Sequence, residues 1–228
     1  MAEHLTLEAA RARMREAYER TSKILSDPEY QKRAAELRRA LAEDDVRQRR
    51  YSWRARGIPE AFIPVIESPR EEPALVAVRR FVAGPWQDPA REGTPLALIL
   101  AGAVGRGKSI AAAWAAASDR WVSYYAEAMD LIQSGIFGGD RREGYWLQRV
   151  PLLVLDELGT EPLDQAGWGE SKFYDLLNAR LQNRRRTILV TNLDPQAFIA
   201  RYPDKRLRDR LRAHADVFVA VGPSLRGA

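Results

Sequence analysis

One short stretch restricts the possible folds more than any other. In LALILAGAVGRGKSIAAAWAAA (96–117), an apolar run and an alanine-rich run are separated by a segment with three glycines and a lysine. The first run has the length and composition of a buried strand, and the second those of a buried helix. Residues 102–109 fit the pattern G-x-x-x-x-G-K-[ST] in full. The stretch therefore predicts a strand, a phosphate-binding loop and a helix, in that order.

The residues of this loop are candidate nucleotide contacts. Glycine lets the backbone curl so that successive N–H groups converge on a phosphate, and the helix N-terminus adds a partial positive charge. The Lys108 ammonium is expected to reach the β- and γ-phosphates of a nucleoside triphosphate, and the Ser109 hydroxyl to bind Mg²⁺. The predicted binding set is Gly102, Ala103, Val104, Gly105, Arg106, Gly107, Lys108 and Ser109.

Two carboxylates, Asp156 and Glu157, follow the apolar run of VPLLVLDELG. Ligands of open α/β sheets bind at the carboxyl ends of strands. Asp156 is expected to bind Mg²⁺, because carboxylate oxygens are hard ligands for a hard cation. Glu157 points in another direction and is expected to orient or deprotonate an attacking water. An acidic pair at this position indicates hydrolysis and disfavours a small-molecule kinase, which must exclude water.

A polar residue, Asn192, ends a further predicted strand in RRRTILVTNLD. This strand is expected to bring Asn192 between the carboxylate strand and the nucleotide, where its side chain would sense the γ-phosphate. The residues after Val190 read T-N-L-D, whereas guanine recognition uses N-K-x-D. The sequence therefore argues against a GTPase, and ATP is the predicted nucleotide.

Short apolar runs alternate with helix-like stretches from Pro95 onward. The predicted strands are Leu96–Ala101, Trp121–Tyr125, Val150–Leu155, Thr187–Thr191 and Val217–Val221. This alternation is typical of a parallel sheet with helices on both faces. The predicted fold class is α/β: a three-layer P-loop core with a parallel five-stranded sheet. The proline-rich stretch IPVIESPREEP (63–73) is predicted to be a loop.

Residues 5 to about 50 are predicted to form two charged helices. Apolar residues recur near every 3.5 positions in the first, and Asp27-Pro28 supplies an N-cap and a first-turn proline for the second. The sequence thus divides into a helical N-terminal arm, 1–50, which is expected to bind a partner, and a core, 51–228.

Basic residues concentrate in three segments. In 47–56 they interleave with Tyr51 and Trp53, which either stack on nucleic acid or pack the junction onto the core. Arg184–Arg186 is expected to lie in a solvent-exposed loop, with the lining of a DNA channel in an assembly as the alternative. A predicted helix carries Lys205, Arg206, Arg208, Arg210 and Arg212. A phosphate-binding arginine supplied from such a helix to a neighbouring subunit is worth about 10³–10⁵ in rate.

Composition excludes several other classes. The chain has no cysteine, which excludes disulfides and thiolate metal sites, and its two histidines, His4 and His214, are far apart, so a zinc site is not expected. No apolar stretch approaches the roughly 20 residues that span a bilayer, and the charged N-terminus is unlike a signal peptide. A cytoplasmic protein without a membrane partner is expected. The net charge of +5 permits an anionic partner without requiring one.

The motifs GAVGRGKS, LLVLDELGTEP, FYDLLNARLQNRRRTILVTNLD, RLRDRLR and PSLRG occur in an order seen in one known group. Over residues 51–228 the chain resembles the AAA+ ATPases of the DnaC/DnaI helicase-loader and IstB transposition-helper group. The resemblance implies a Walker A loop at Gly102–Ser109, a Walker B pair at Asp156 and Glu157, and a first sensor at Asn192.

The resemblance also implies functions for residues outside these motifs. Arg210 would be the arginine finger that acts in trans, with Arg206 the reserve candidate, and Arg226 would be a second-sensor arginine. The Gly57-Ile58-Pro59 segment would lie near the adenine. Little sequence follows Arg210, so no C-terminal lid domain is expected, as in the loader group.

Several functions are compatible with these features. The first is a slow, DNA-stimulated ATPase that self-associates into a ring or spiral and loads a replicative DnaB-type helicase onto single-stranded DNA. The second is a transposition helper that uses the same ATPase with duplex DNA and a transposase. The third is a nucleotide-gated scaffold with negligible turnover, which Glu157 and Arg210 argue against.

Overall fold

The computed structural model describes residues 7–84, 94–118, 122–133, 141–160 and 168–225. The chain divides into two compact units, Met1–Tyr51 and Ser52–Ala228. Among the described residues, no helix is both long enough and apolar enough to cross a bilayer.

The first unit is helical, as predicted from its apolar spacing. Helix α1 spans Leu7–Ser26 and helix α2 spans Pro28–Ala55. The Asp27 Oδ1 atom accepts a hydrogen bond of 2.7 Å from the Glu29 N–H, which is the predicted N-cap. Helix α2 continues without a break through residue 50, so the junction in the sequence is helical up to Ala55.

The second unit contains a parallel sheet with helices on both faces. Its helices are α3 (Ile63–Glu67), α4 (Pro73–Ala83), α5 (Lys108–Ala117), α6 (Ala128–Gln133), α7 (Arg141–Leu147), α8 (Trp168–Gln182), α9 (Pro195–Arg201) and α10 (Lys205–His214). Its strands are β1 (Ala97–Ala101), β2 (Ser123–Glu127), β3 (Leu152–Leu158), β4 (Arg186–Thr191) and β5 (Ala215–Val219). The predicted three-layer α/β class and all five predicted strands are confirmed, with ends displaced by up to three residues.

The strand order is β2-β3-β4-β1-β5, and every neighbouring pair is parallel. One buried cluster on the sheet includes Val78 of α4 and Ala112 of α5, and the other includes Leu177 of α8 and Leu207 of α10. The order matters for the site, because β4 lies between β1 and β3. Side chains that follow these three strands therefore meet at one edge of the sheet.

The predicted loop at 63–73 is partly helical. Pro64 occupies the first turn of α3, where a missing N–H costs no hydrogen bond, and α4 likewise begins at Pro73. Ile63 and Ile66 are buried, so packing stabilises this short helix. The prolines that indicated a loop instead mark where helices begin.

The carboxyl end of α5 is attached to the segment that precedes α3. The Trp53 indole donates to the Ala117 carbonyl at 2.9 Å, and the Arg56 guanidinium donates to the Ala116 and Ser118 carbonyls at 3.2 and 3.0 Å. These bonds satisfy carbonyls that an α-helix leaves without intrahelical partners. The Arg56 charge also stabilises the negative end of the helix dipole.

Candidate functional site

The phosphate-loop sequence lies at the carboxyl edge of the sheet. Strand β1 ends at Ala101 and helix α5 begins at Lys108. Gly107 precedes the helix with φ 73°, a left-handed conformation that a side chain would disfavour. Because Gly107 has no side chain to cap the helix, a bound anion can cap its first N–H groups.

The Lys108 side chain lies across this loop. It is buried, and its Nζ donates hydrogen bonds to the carbonyl oxygens of Gly102 at 2.7 Å and Ala103 at 2.8 Å. A third bond, of 3.0 Å, goes to Oδ1 of Asn192. These three acceptors are neutral, and a phosphate oxygen is a stronger acceptor for an ammonium group.

Asn192 follows β4 and is exposed at the edge between the loop and the acidic pair. Thr191 fixes the turn, since its hydroxyl donates to the Leu158 carbonyl at 2.7 Å and accepts from the Leu193 N–H at 3.1 Å. The turn therefore directs the Asn192 amide towards Lys108.

The two predicted carboxylates occupy different environments. Asp156 is 3% exposed, and its Oδ1 accepts a 2.7 Å hydrogen bond from the Glu157 N–H. Glu157 is exposed and has φ 55°. The pairing of β3 with β4 shifts register between Leu155 and Leu158, so Glu157 lies within an irregularity of the strand. The acidic pair thus presents one buried and one exposed carboxylate.

Two neighbours of Asp156 on β2 were not identified from the sequence. The Tyr125 hydroxyl donates to Asp156 Oδ2, and Glu127 lies opposite Asp156 in the strand register. Burial, followed by the charge of Glu157, raises the pKa of Glu127 above its ordinary value. The sequence would have indicated these two neighbours only if the pairing of β2 with β3 had been known.

The segment after β5 lies along the outer side of the loop. The Ala220 N–H donates to the Ala101 carbonyl at 2.8 Å, and the Leu225 N–H donates to the Gly105 carbonyl at 2.7 Å. The C-terminal segment is therefore hydrogen-bonded both to the end of β1 and to the middle of the loop. Arg226, the predicted second sensor, lies outside the described residues.

Arg106 gives an independent test of whether the loop suits an anion. Among the residues that the structure describes, none forms a hydrogen bond with its buried Nε and Nη1 atoms. Buried cationic donors are ordinarily paired, so this guanidinium is suited to an anionic acceptor. The Asp156 carboxylate and the Ser109 hydroxyl are oxygen donors of the kind that bind Mg²⁺. The residues of this edge thus fit ATP and Mg²⁺.

The predicted finger, Arg210, is exposed on α10, and among the described residues no ion pair joins it to another side chain. Asp204 caps this helix, because its carboxylate accepts from the Arg206 N–H at 2.7 Å. The same carboxylate binds the Arg206 guanidinium at 2.7 Å, and that guanidinium also stacks over the Tyr174 ring at 4.7 Å. Arg206 is therefore held within its own chain.

In the other two basic segments, some side chains that the sequence allowed or expected to be exposed are buried in the core. Trp53 is buried in the core, while Tyr51 is 70% exposed. Arg186, expected in a solvent-exposed loop, is instead buried and donates to the Phe81 carbonyl. Burial lowers its pKa to about 10. The expectation for Arg184–Arg186 is therefore wrong at Arg186, because β4 begins there and its side chain packs on Phe81.

A strand that separates the loop strand from the carboxylate strand, with Asn192 at its end, is the arrangement of a P-loop ATP-binding domain of the AAA+ class. Residues 94–227, more than half of the chain, match the sequence model of the family described as IstB-like ATP binding protein. The chain therefore belongs to the IstB-like ATP-binding protein family, and the predicted group is confirmed. No curated protein matches the chain significantly.

Solved structures show the same fold at low sequence identity. The DnaC helicase loader is 18% identical, with a TM-score of 0.58 over 72% of this chain and 100% of that chain. DnaI is 20% identical, with a TM-score of 0.51 over 71% of this chain and 89% of that chain. AMPPCP-bound DnaA from Aquifex aeolicus is 18% identical, with a TM-score of 0.55 over 71% of this chain and 51% of that chain. The match thus spans about half of that DnaA chain.

Proposed function

We propose that the chain hydrolyses ATP at the edge formed by the ends of β1, β3 and β4. The observation that carries this proposal is the hydrogen bond between Lys108 Nζ and Asn192 Oδ1, beside a buried Asp156. It brings a phosphate-binding cation, a polar sensor and a metal-binding carboxylate to adjacent strand ends. Hydrolysis of a phosphoanhydride depends mainly on positioning and charge stabilisation by such groups.

Each side chain has a distinct function in this proposal. Lys108 exchanges its neutral acceptors for the β- and γ-phosphates, and Ser109 and Asp156 hold Mg²⁺. Bound Mg²⁺ would neutralise charge on the phosphate oxygens. Glu157, which is exposed and adjacent to Asp156 in the chain, orients the attacking water and takes its proton. Asn192, which already contacts Lys108, donates its amide N–H to the γ-phosphate.

A neighbouring copy of the chain would supply the last catalytic group to each nucleotide site. Arg206 is bound to Asp204 and Tyr174, whereas Arg210 faces outward on the same helix. A guanidinium directed outward is suited to the nucleotide of a neighbouring subunit. Arg210 is therefore the proposed finger, and assembly into a ring or spiral supplies it.

The proposed biological role is to load a replicative DnaB-type helicase onto single-stranded DNA in the cytoplasm. The N-terminal helices would bind the helicase, since their apolar side chains, such as Tyr18 and Leu37, are 75% and 61% exposed. The fold shared with the DnaC helicase loader supports this role. The family description favours a second candidate, a transposition helper that acts with a transposase on duplex DNA.

ATP hydrolysis, measured with single-stranded and with duplex DNA, tests these alternatives. Light scattering on the same samples reports the assembly. Turnover and assembly stimulated by single strands would support the loader, while stimulation by duplex DNA would support the transposition helper. Tight ATP binding without turnover under any condition would contradict hydrolysis and leave the nucleotide-gated scaffold.

A further inference from the structure

Tyr125 contacts the carboxylate that is proposed to hold Mg²⁺. The residue lies in β2, its ring is 2% exposed, and its hydroxyl donates a hydrogen bond to Asp156 Oδ2. The other carboxylate oxygen, Oδ1, accepts from the Glu157 N–H at 2.7 Å. One donor to each oxygen fixes the plane of the carboxylate.

The position of the Tyr125 ring is set by the residues that precede α3. The Tyr125 N–H donates to the Arg56 carbonyl at 2.8 Å. A β-carbon at Gly57 would lie 2.1 Å from the Tyr125 carbonyl oxygen, so only glycine permits this close approach. The Phe62 ring meets the Tyr125 ring edge-on, with 6.1 Å between centroids. These contacts fix the backbone of Tyr125, and Phe62 packs against its ring.

We propose that Tyr125 is a positioning residue for the nucleotide site, in which its hydroxyl orients the Asp156 carboxylate for Mg²⁺. This inference rests on the proposed function, because it needs Asp156 to be the metal-binding carboxylate. Removal of a donor that orients a metal-binding group commonly weakens metal affinity by about 10- to 100-fold.

The phenol is suited to this function because it remains a donor. An ordinary tyrosine hydroxyl is protonated at neutral pH and can donate one hydrogen bond, whereas phenylalanine has no such donor.

The test is Tyr125→Phe in the full chain, which removes one oxygen and retains the ring. Tyr124→Phe is the matched control, since Tyr124 is adjacent in β2 and packs on Trp146 at 5.0 Å. The probe is a fluorescent ATP analogue, titrated at a series of MgCl₂ concentrations and in EDTA. In wild type, nucleotide affinity should increase with the MgCl₂ concentration. We expect Tyr125→Phe to raise, by about 10-fold, the MgCl₂ concentration at which this increase is half-maximal. Affinity in EDTA should stay within about twofold, and Tyr124→Phe should match the wild type.

A double variant distinguishes positioning from a general loss of structure. In an Asp156→Asn background, adding Tyr125→Phe should produce no further change in Mg²⁺ dependence, because the group to be oriented is already altered. Thermal unfolding without ligand monitors the fold of each variant. An equal loss of affinity with and without Mg²⁺, alongside a lower Tm, would mean a purely structural role and overturn the inference.

The remaining outcomes separate the inference from the proposed function. A wild-type protein whose nucleotide affinity does not respond to Mg²⁺ would contradict the proposed function itself. A wild type that responds to Mg²⁺, with Tyr125→Phe responding identically, would overturn only the positioning inference.

Discussion

Lys108 and Asn192, separated by 84 residues in the chain, are joined by a 3.0 Å hydrogen bond from Nζ to Oδ1. The bond crosses from the loop after β1 to the end of the neighbouring strand, β4. Lys108 is buried, whereas Asn192 is exposed. The Asn192 amide therefore lies between the Lys108 ammonium and solvent. The two residues should therefore affect nucleotide binding and turnover in different ways.

Lys108→Ala should abolish detectable triphosphate binding. The variant removes the loop's ammonium, and we expect affinity to fall by at least about 100-fold, or about 2.7 kcal/mol. Isothermal titration with ATP measures the loss. Unchanged affinity would contradict the phosphate-loop assignment.

Asn192→Ala should leave ATP affinity nearly unchanged and lower kcat by about 100-fold, as for the removal of one donor to a developing charge. Steady-state hydrolysis with a parallel binding titration separates the two effects. Asn183→Ala is the matched control, because its exposed amide donates to the Ala179 carbonyl of α8 at 2.8 Å. A loss of binding equal to the loss of turnover would contradict a sensor function.

Arg210→Ala and Glu157→Gln should each bind ATP and each lose turnover. The expected losses are about 10³-fold or more for the finger and about 10²–10⁴-fold for the water-orienting carboxylate. Mixing the two variants should restore activity, because about a quarter of head-to-tail interfaces in an equimolar mixture contain both intact residues. The measurement is hydrolysis as a function of mixing ratio.

Arg206→Ala serves as the comparison for the finger. Its guanidinium already binds Asp204 and Tyr174, so we expect this variant to retain most of its activity. If Arg206→Ala complements Glu157→Gln and Arg210→Ala does not, the finger lies one turn earlier on α10.

Asp204→Ala should destabilise the protein by about 1 kcal/mol at pH 7 through the loss of the α10 cap, and Asp204→Asn should recover most of this. The hydrogen bond from Arg206 lowers the pKa of Asp204 below its ordinary value. A lowered carboxyl pKa contributes stability that is complete above the ordinary value of about 3.9 and is lost as the pH falls through the folded-state value. Chemical denaturation of wild type and Asp204→Ala between pH 7 and 3 should therefore show the difference shrinking only below about pH 4. A constant difference across this range would show that the charge contributes nothing.

Gly57→Ala should be strongly destabilising. Gly57 has φ 81°, and an added β-carbon would lie 2.1 Å from the Tyr125 carbonyl oxygen. We expect a loss of at least about 2 kcal/mol, seen as a Tm lower by about 5 °C or more. Gly84→Ala is the control, because an added β-carbon there would meet its neighbours at an ordinary 3.4 Å. Equal Tm values for the two variants would show that the segment before α3 tolerates displacement.

The sequence contains enough information to predict the strands and the order of motifs along them. Each strand is a short apolar run, and the loop pattern fixes where β1 ends and α5 begins. Local composition is sufficient for these features because each depends on only a few neighbouring residues. Asn192 is also expected close to the nucleotide, but its contact with Lys108 depends on the strand order, in which β4 lies next to β1.

Other features of the site depend on how strands and helices that are distant in sequence pair and pack. No local pattern shows that Tyr125 lies beside Asp156, because that contact depends on the register between β2 and β3. The left-handed backbone at Glu157 depends on an irregularity in the pairing of β3 with β4. The burial of Arg186 depends on the packing of α4 against the start of β4. Each is fixed by an element distant in sequence.

The hydrogen bonds at the carboxyl end of α5 set a limit on how far the chain can be shortened. A truncated protein that begins at Ser52 keeps Trp53 and Arg56, whose side chains bind the last carbonyls of the helix that begins at Lys108. A truncated protein that begins at Ile58 lacks both donors. The carboxyl end of this helix, opposite the phosphate-binding loop, then loses these hydrogen bonds. We therefore expect a protein without the arm to keep a stable α5 only if it begins before Trp53.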